Sequence, residues 1–177
     1  MIYGIVINLE HQIKFMKKNN YSFSYTQYIS FDVNRNFFLV SGPKKITKRK
    51  MMAYCWPGCL TVMYDSEKIG LIQINNIKKH NDYAMWLEII KKSNCYLLAE
   101  QLSFYRKHEN SISSSSKLEL IKYHYYLFRY CLQKSRISAI ICTGINIFFG
   151  IYKKIKYVKK IDLEGRELIE KSTRRSN

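Results

Sequence analysis

Apolar positions recur along this chain at two different periods. Leu9, Ile13 and Met16 step by four and three, which predicts a short helix over 8–18 that stops at Asn19-Asn20. Residues 22–28 alternate and are rich in Tyr, Phe and Thr, so a strand is expected there. Phe37-Phe38-Leu39-Val40 reads as a second strand, ended by Ser41-Gly42-Pro43. Thr47 can cap a short basic helix running to Met52. Residues 55–59 read as a turn, 60–64 as a buried strand and 65–70 as another turn. Helical spacing returns with Trp86, Leu87 and Ile90, predicting a helix to about Lys92 with Asn81 as its N-cap and Asp82 in its first turn. Short strands are expected at 95–98 and 103–105, then a polar loop over 107–116. Leu118, Ile121, Tyr125, Phe128 and Leu132 mark one face of a helix over 117–134.

The run 137–152 holds no charge. Ile137, Ile141, Ile145, Phe148 and Tyr152 form one face, and Ser138, Cys142, Asn146 and Gly150 another. Read as sixteen residues with Asn, Thr and two Gly, it is too short and too polar to span a bilayer. Five lysines follow between Lys153 and Lys160. The pattern suits either a helix docked on the core or one lying in a membrane interface. The segment 162–177 is charged, poor in apolar residues and expected to fray.

With 177 residues, 47% of them hydrophobic, the chain suffices for one domain with a real core. A net charge of +17 predicts attraction to polyanions. The lysines are dispersed, and no RNP-type word, zinc-finger spacing or helix-turn-helix word is present, so no specific nucleic-acid partner is expected. Five cysteines (Cys55, Cys59, Cys95, Cys131 and Cys142) show no Cys-x-x-Cys pair and no zinc spacing. They read as free thiols in a reducing compartment. Residues 1–7 lack a basic leader, so a cytoplasmic location is expected.

Asp82 is the candidate for chemistry. A carboxylate in the first turn of an apolar helix sits on a rigid element at the rim of a domain, which suits a general base. The same placement also stabilises a helix by up to ~1 kcal/mol with no further role.

The words around it narrow the choice. Asn81-Asp82-Tyr83-Ala84-Met85-Trp86-Leu87 precedes Tyr96-Leu97-Leu98-Ala99-Glu100, then Tyr105-Arg106-Lys107-His108 and Ser111-Ile112-Ser113. This order, from about Leu9 to Tyr157, resembles the C-terminal half of a family 2 glycosyltransferase of the bacterial polysaccharide type. The resemblance implies an α/β fold, a partial glycosyltransferase A-type domain with a mixed sheet and C-terminal helices. Residues 1–116 would be its acceptor-side part, 117–161 helices able to associate with a membrane, and 162–177 a tail.

It further implies inverting transfer of a sugar from a nucleotide-sugar donor to a saccharide or lipid-linked acceptor, with Asp82 as base. Arg106, His108, Ser111 and Ser113 would contact the donor diphosphate or its metal. Asn81, Trp86 and Thr61 would line the acceptor side. A Mg or Mn ion is expected for the intact family. Its Asp-x-Asp site is absent here: the aspartates are Asp32, Asp65, Asp82 and Asp162, no two within three positions. The helix Leu9-Glu10-His11-Gln12-Ile13-Lys14-Phe15-Met16 resembles the one that directly follows that acidic motif. The chain therefore reads as a truncated or split product lacking the nucleotide-sugar half, cytoplasmic or peripheral on the inner face of the plasma membrane. The alternatives are a basic, non-catalytic remnant that binds an anionic membrane or another polyanion, and a decayed fragment.

Overall fold

A computed structural model describes residues 2–4, 6–74, 77, 79–107 and 117–161. In chain order the elements are β1 (Ile2–Gly4), α1 (Val6–Asn19), β2 (Phe23–Phe31), β3 (Phe37–Val40), β4 (Lys45–Ile46) and α2 (Lys48–Ala53). A 3-10 turn (Cys59–Thr61) leads to β5 (Val62–Tyr64), α3 (Ser66–Ile69), α4 (Asn81–Ile89) and β6 (Cys95–Arg106). Then come α5 (Lys117–Tyr126), a π turn (Leu127–Cys131), α6 (Arg136–Tyr157) and β7 (Val158–Ile161). The strands form one sheet in the order β1-β6-β2-β3-β7, with β4 added to β6 and β5 to β2. Among the described residues only β2 and β6 pair in parallel, so the sheet is mixed, as expected for the α/β class.

β2 lies at the middle and is buried on both faces: Phe23, Tyr25 and Ile29 line one, and the small polar Ser24, Thr26 and Ser30 line the other. Its exit is a tight turn in which the Asp32 carboxylate accepts from the Asn36 backbone and side-chain amides, both at 3.0 Å. α4 packs into the same core, burying Tyr83, Trp86, Leu87 and Ile89 beside Met51, Trp56 and Cys95.

Several expectations need correction. The strands expected at 95–98 and 103–105 are one twelve-residue strand. The polar residues between them stay in the ladder through side-chain bonds: the Gln101 amide donates to Gln27 Oε1 at 3.1 Å, and the Gln27 amide to Ser41 Oγ at 3.0 Å. Pairing with β2 shifts register on both sides of Gln27, and the extra residues of each shift lie on β6.

On α1 the buried face is Gln12 and Met16, while Leu9 and Ile13 are exposed. The Gln12 amide reaches Ser24 Oγ (2.9 Å) and the Thr61 carbonyl (3.1 Å), and those bonds set the helix rotation. The start of the strand expected at 60–64 is a 3-10 turn, because Thr61 N and Oγ1 both donate to the Gly58 carbonyl (2.9 and 2.8 Å). The helix expected over 117–134 ends in the π turn, and Leu118 and Ile121 on its apolar stripe are exposed.

α6 is longer than the uncharged run, with 22 residues, and is capped by Ser135, whose Oγ accepts from Ser138 N at 3.2 Å. It is long and apolar enough to cross a membrane by length and composition, unlike the sixteen-residue reading. It docks with its small and polar face inward: Ala139, Thr143, Asn146 and Lys153 are buried. It continues directly into β7, which pairs with β3 at the sheet edge.

Candidate functional site

Asp82 occupies the first turn of α4, as expected, but the cap is displaced by one residue. His80 is the N-cap, and Asn81 is already helical and exposed. His80 takes a left-handed backbone conformation (φ 63°) with no side-chain cap bond. Its ring stacks on His124 of α5 at 4.2 Å. Burial, reinforced by Lys79, holds His80 below its usual pKa; burial and His80 push His124 down to about 4. Both rings are therefore neutral at pH 7. Packing of one ring on the other, rather than an Asn81 cap, sets the start of the helix.

Asp82 is half-buried, and one carboxylate oxygen accepts from Tyr83 N at 2.8 Å. The stretch from Cys55 to Cys59, running from α2 into the 3-10 turn, brings two thiols beside it. Burial and the Asp82 carboxylate raise the pKa of both Cys55 and Cys59. Cys59 is exposed, so Asp82 sits where solvent or a ligand can approach. At Gly58 a Cβ would lie 3.0 Å from the Tyr28 ring, so loop and ring approach closely there. Burial raises the pKa of Tyr28, reinforced by Tyr54, Tyr105, Cys59 and Cys55 nearby.

The helix that bears Asp82 is clamped from behind. The Tyr83 hydroxyl, fully buried, donates to the Met51 carbonyl at 2.8 Å and accepts from the Asn146 amide at 3.0 Å. Lys153 Nζ donates to the Trp56 carbonyl at 2.6 Å and lies 5.5 Å from the Tyr54 ring centre. Burial pushes Lys153 down to about 8. Trp56 Nε1 in turn donates to the Lys50 carbonyl at 2.8 Å. A buried polar layer of α6 therefore ties together α2, the Cys55–Cys59 segment and α4.

The other expected site residues fall into three groups. Trp86 packs on Phe23 with ring centres 6.1 Å apart, and Thr61 locks the 3-10 turn; both are buried and shape the site from beneath. Arg106 is exposed at the end of β6, next to Tyr105. His108, Ser111 and Ser113 lie outside the described residues. Among the described residues no group of three or more His, Cys, Asp or Glu could hold a metal, so these residues do not by themselves form a divalent-cation site. Cys55 and Cys59 were not legible as neighbours of Asp82, since their proximity is created by long-range packing.

The geometry can be set beside known proteins. No family model matches the chain. It is 36% identical over 124 residues to "Putative teichuronic acid biosynthesis glycosyltransferase TuaG" of Bacillus subtilis, covering 68% of this chain and 49% of that protein. It is 36% identical over 121 residues to the UDP-Glc:alpha-D-GlcNAc-diphosphoundecaprenol beta-1,3-glucosyltransferase WfgD of Escherichia coli, covering 66% and 46%. A third relative with the same activity name, WfaP of Escherichia coli, is 32% identical over 127 residues, covering 68% and 48%. The chain spans about half the length of the curated relatives it matches. Its relatives are bacterial glycosyltransferases.

Proposed function

We propose that this chain is the acceptor-side part of an inverting family 2 glycosyltransferase with an A-type fold, and that Asp82 is its general base. The acceptor hydroxyl gives its proton to the Asp82 carboxylate as its oxygen bonds to the anomeric carbon. The bond from that carbon to the donor phosphate breaks, and its electron pair leaves with the nucleoside diphosphate. The observation that carries this reading is Asp82 itself: a half-buried carboxylate beside an exposed thiol, on a helix held by Tyr83 and Asn146.

The names of two relatives support a UDP-sugar donor and a sugar acceptor linked through diphosphate to undecaprenol. Such a donor and acceptor support a reaction at the cytoplasmic face of the plasma membrane. Arg106, with His108, Ser111 and Ser113 beyond it, is suited to the leaving diphosphate, where a fork of N–H donors offsets developing charge. The acids that hold the Mg or Mn ion expected for the family are assigned to the nucleotide-sugar half, because the aspartates here are dispersed.

The stereochemical test is NMR of the product made by the full-length protein from an α-linked nucleotide-sugar. A β-linked product is expected. An α-linked product would overturn the single-displacement role of Asp82.

A further inference from the structure

We infer that the outward face of α6 rests in the plane of an anionic lipid bilayer. Ile137, Ile140, Ile141, Phe148, Ile151 and Ile155 are 56 to 79% exposed, an unusual display for side chains of this size. At ~100° per residue these six fall within a sector of about 100° on the helix. The small and polar residues lie on the opposite side and are buried. A helix that packs a globular core normally does the reverse.

Charge identifies the occupant. Arg136 and Lys154 lie along one border of the apolar sector and Lys156 along the other, all exposed. Lys159 and Lys160 are exposed directly beyond, on β7. Cations flanking an apolar stripe reach anionic headgroups while the stripe enters the acyl boundary. The net charge of +17 favours the same surface.

The helix lies on the membrane rather than crossing it. Its inner face is committed to the domain through Lys153 to Trp56 and Asn146 to Tyr83, and its end runs into a paired strand. The inference stands without the transferase reading. If that reading also holds, the Asn146–Tyr83 bond places Asp82 at a fixed height above the bilayer, where a lipid-linked hydroxyl arrives.

The test is flotation of the 177-residue chain with vesicles of phosphatidylcholine alone or mixed with phosphatidylglycerol. Two variants accompany it: Ile140→Ser/Phe148→Ser/Ile151→Ser on the stripe and Lys154→Glu/Lys156→Glu on its borders. All five side chains are exposed, so thermal melting should be unchanged. Wild type should float with the anionic vesicles. The stripe variant should bind at least ~100-fold more weakly, given the apolar area removed, and the border variant at least ~30-fold more weakly. Three results would overturn the inference. One is a folded wild type that ignores anionic vesicles. Another is a stripe variant that binds like wild type, meaning that lysines alone suffice. The last is a dimer abolished by the stripe variant without vesicle binding, meaning that a second copy covers the face.

Discussion

The bond between Tyr83 and Asn146 is the point at which α4 can be loosened without touching Asp82. Tyr83→Phe removes a hydroxyl that donates to Met51 at 2.8 Å and accepts from Asn146 at 3.0 Å, all in the fully buried core. The ring remains, so packing is kept. What is lost is satisfaction of one carbonyl and one amide hydrogen, each worth ~1–3 kcal/mol when stranded. The Met51 carbonyl is the more exposed to this loss, because no other side-chain donor to it is present among the described bonds. A total cost of about 2–3 kcal/mol follows. Asn146→Ala should cost about 1–2 kcal/mol, since the Tyr83 hydroxyl keeps its bond to Met51. The double variant should cost about 1 kcal/mol less than the sum, because each single change already breaks the shared bond. Urea unfolding followed by the fluorescence of Trp56 and Trp86 measures all four corners. Strict additivity, or a Tyr83→Phe cost below about 0.5 kcal/mol, would refute the claim that this bond clamps α4 to α6.

Other consequences follow from the charged and reactive groups near the site. His124 has its folded pKa depressed to about 4 against about 6.5 when unfolded, so the unfolded chain takes the proton first and stability drops as pH falls from 6.5 toward 4. His124→Phe should flatten that slope by about 2 kcal/mol in unfolding free energy; an unchanged slope would show that the ring is not held neutral. Lys153 is depressed to about 8 against about 10.5, so its buried charge costs stability at neutral pH and that cost fades as pH rises from 8 to 10.5. The stability of wild type relative to Lys153→Met should therefore climb by about 2–3 kcal/mol between pH 7 and 10; a gap independent of pH would contradict it. Cys59 should react with iodoacetamide about two- to fivefold faster in Asp82→Asn at pH 8, because the carboxylate that disfavours its thiolate is gone. Equal rates would separate Cys59 from Asp82.

Local signals carried the parts of the fold that local forces decide. The alternating aromatics of 22–28 and 37–40 became paired strands, and Trp86, Leu87 and Ile90 marked the buried helix that bears Asp82. Periodicity also found the apolar face of α6, but period alone does not say what a face meets. The inward turn of Asn146 and Lys153 depends on partners 63 and 97 residues away in sequence. Gln101 looked like a strand break because its partner, Gln27, lies 74 positions earlier. His80 displaced Asn81 as the cap because His124 stacks on it, a contact no local rule contains. Asp82 was legible through the words around it. The two thiols beside it were not, since they arrive from a stretch more than twenty residues earlier in the chain.

The most direct test of the account is sugar transfer by the full-length protein carrying Asp82→Asn. Nucleotide-sugars would be screened on wild type with a lipid-linked saccharide acceptor, and the active donor then used for both proteins. The account predicts a loss of ~10²–10⁴-fold in kcat, the usual contribution of a positioned base, with donor Kd unchanged by calorimetry. A variant that transfers within about tenfold of wild type while binding donor normally would remove Asp82 from the chemistry.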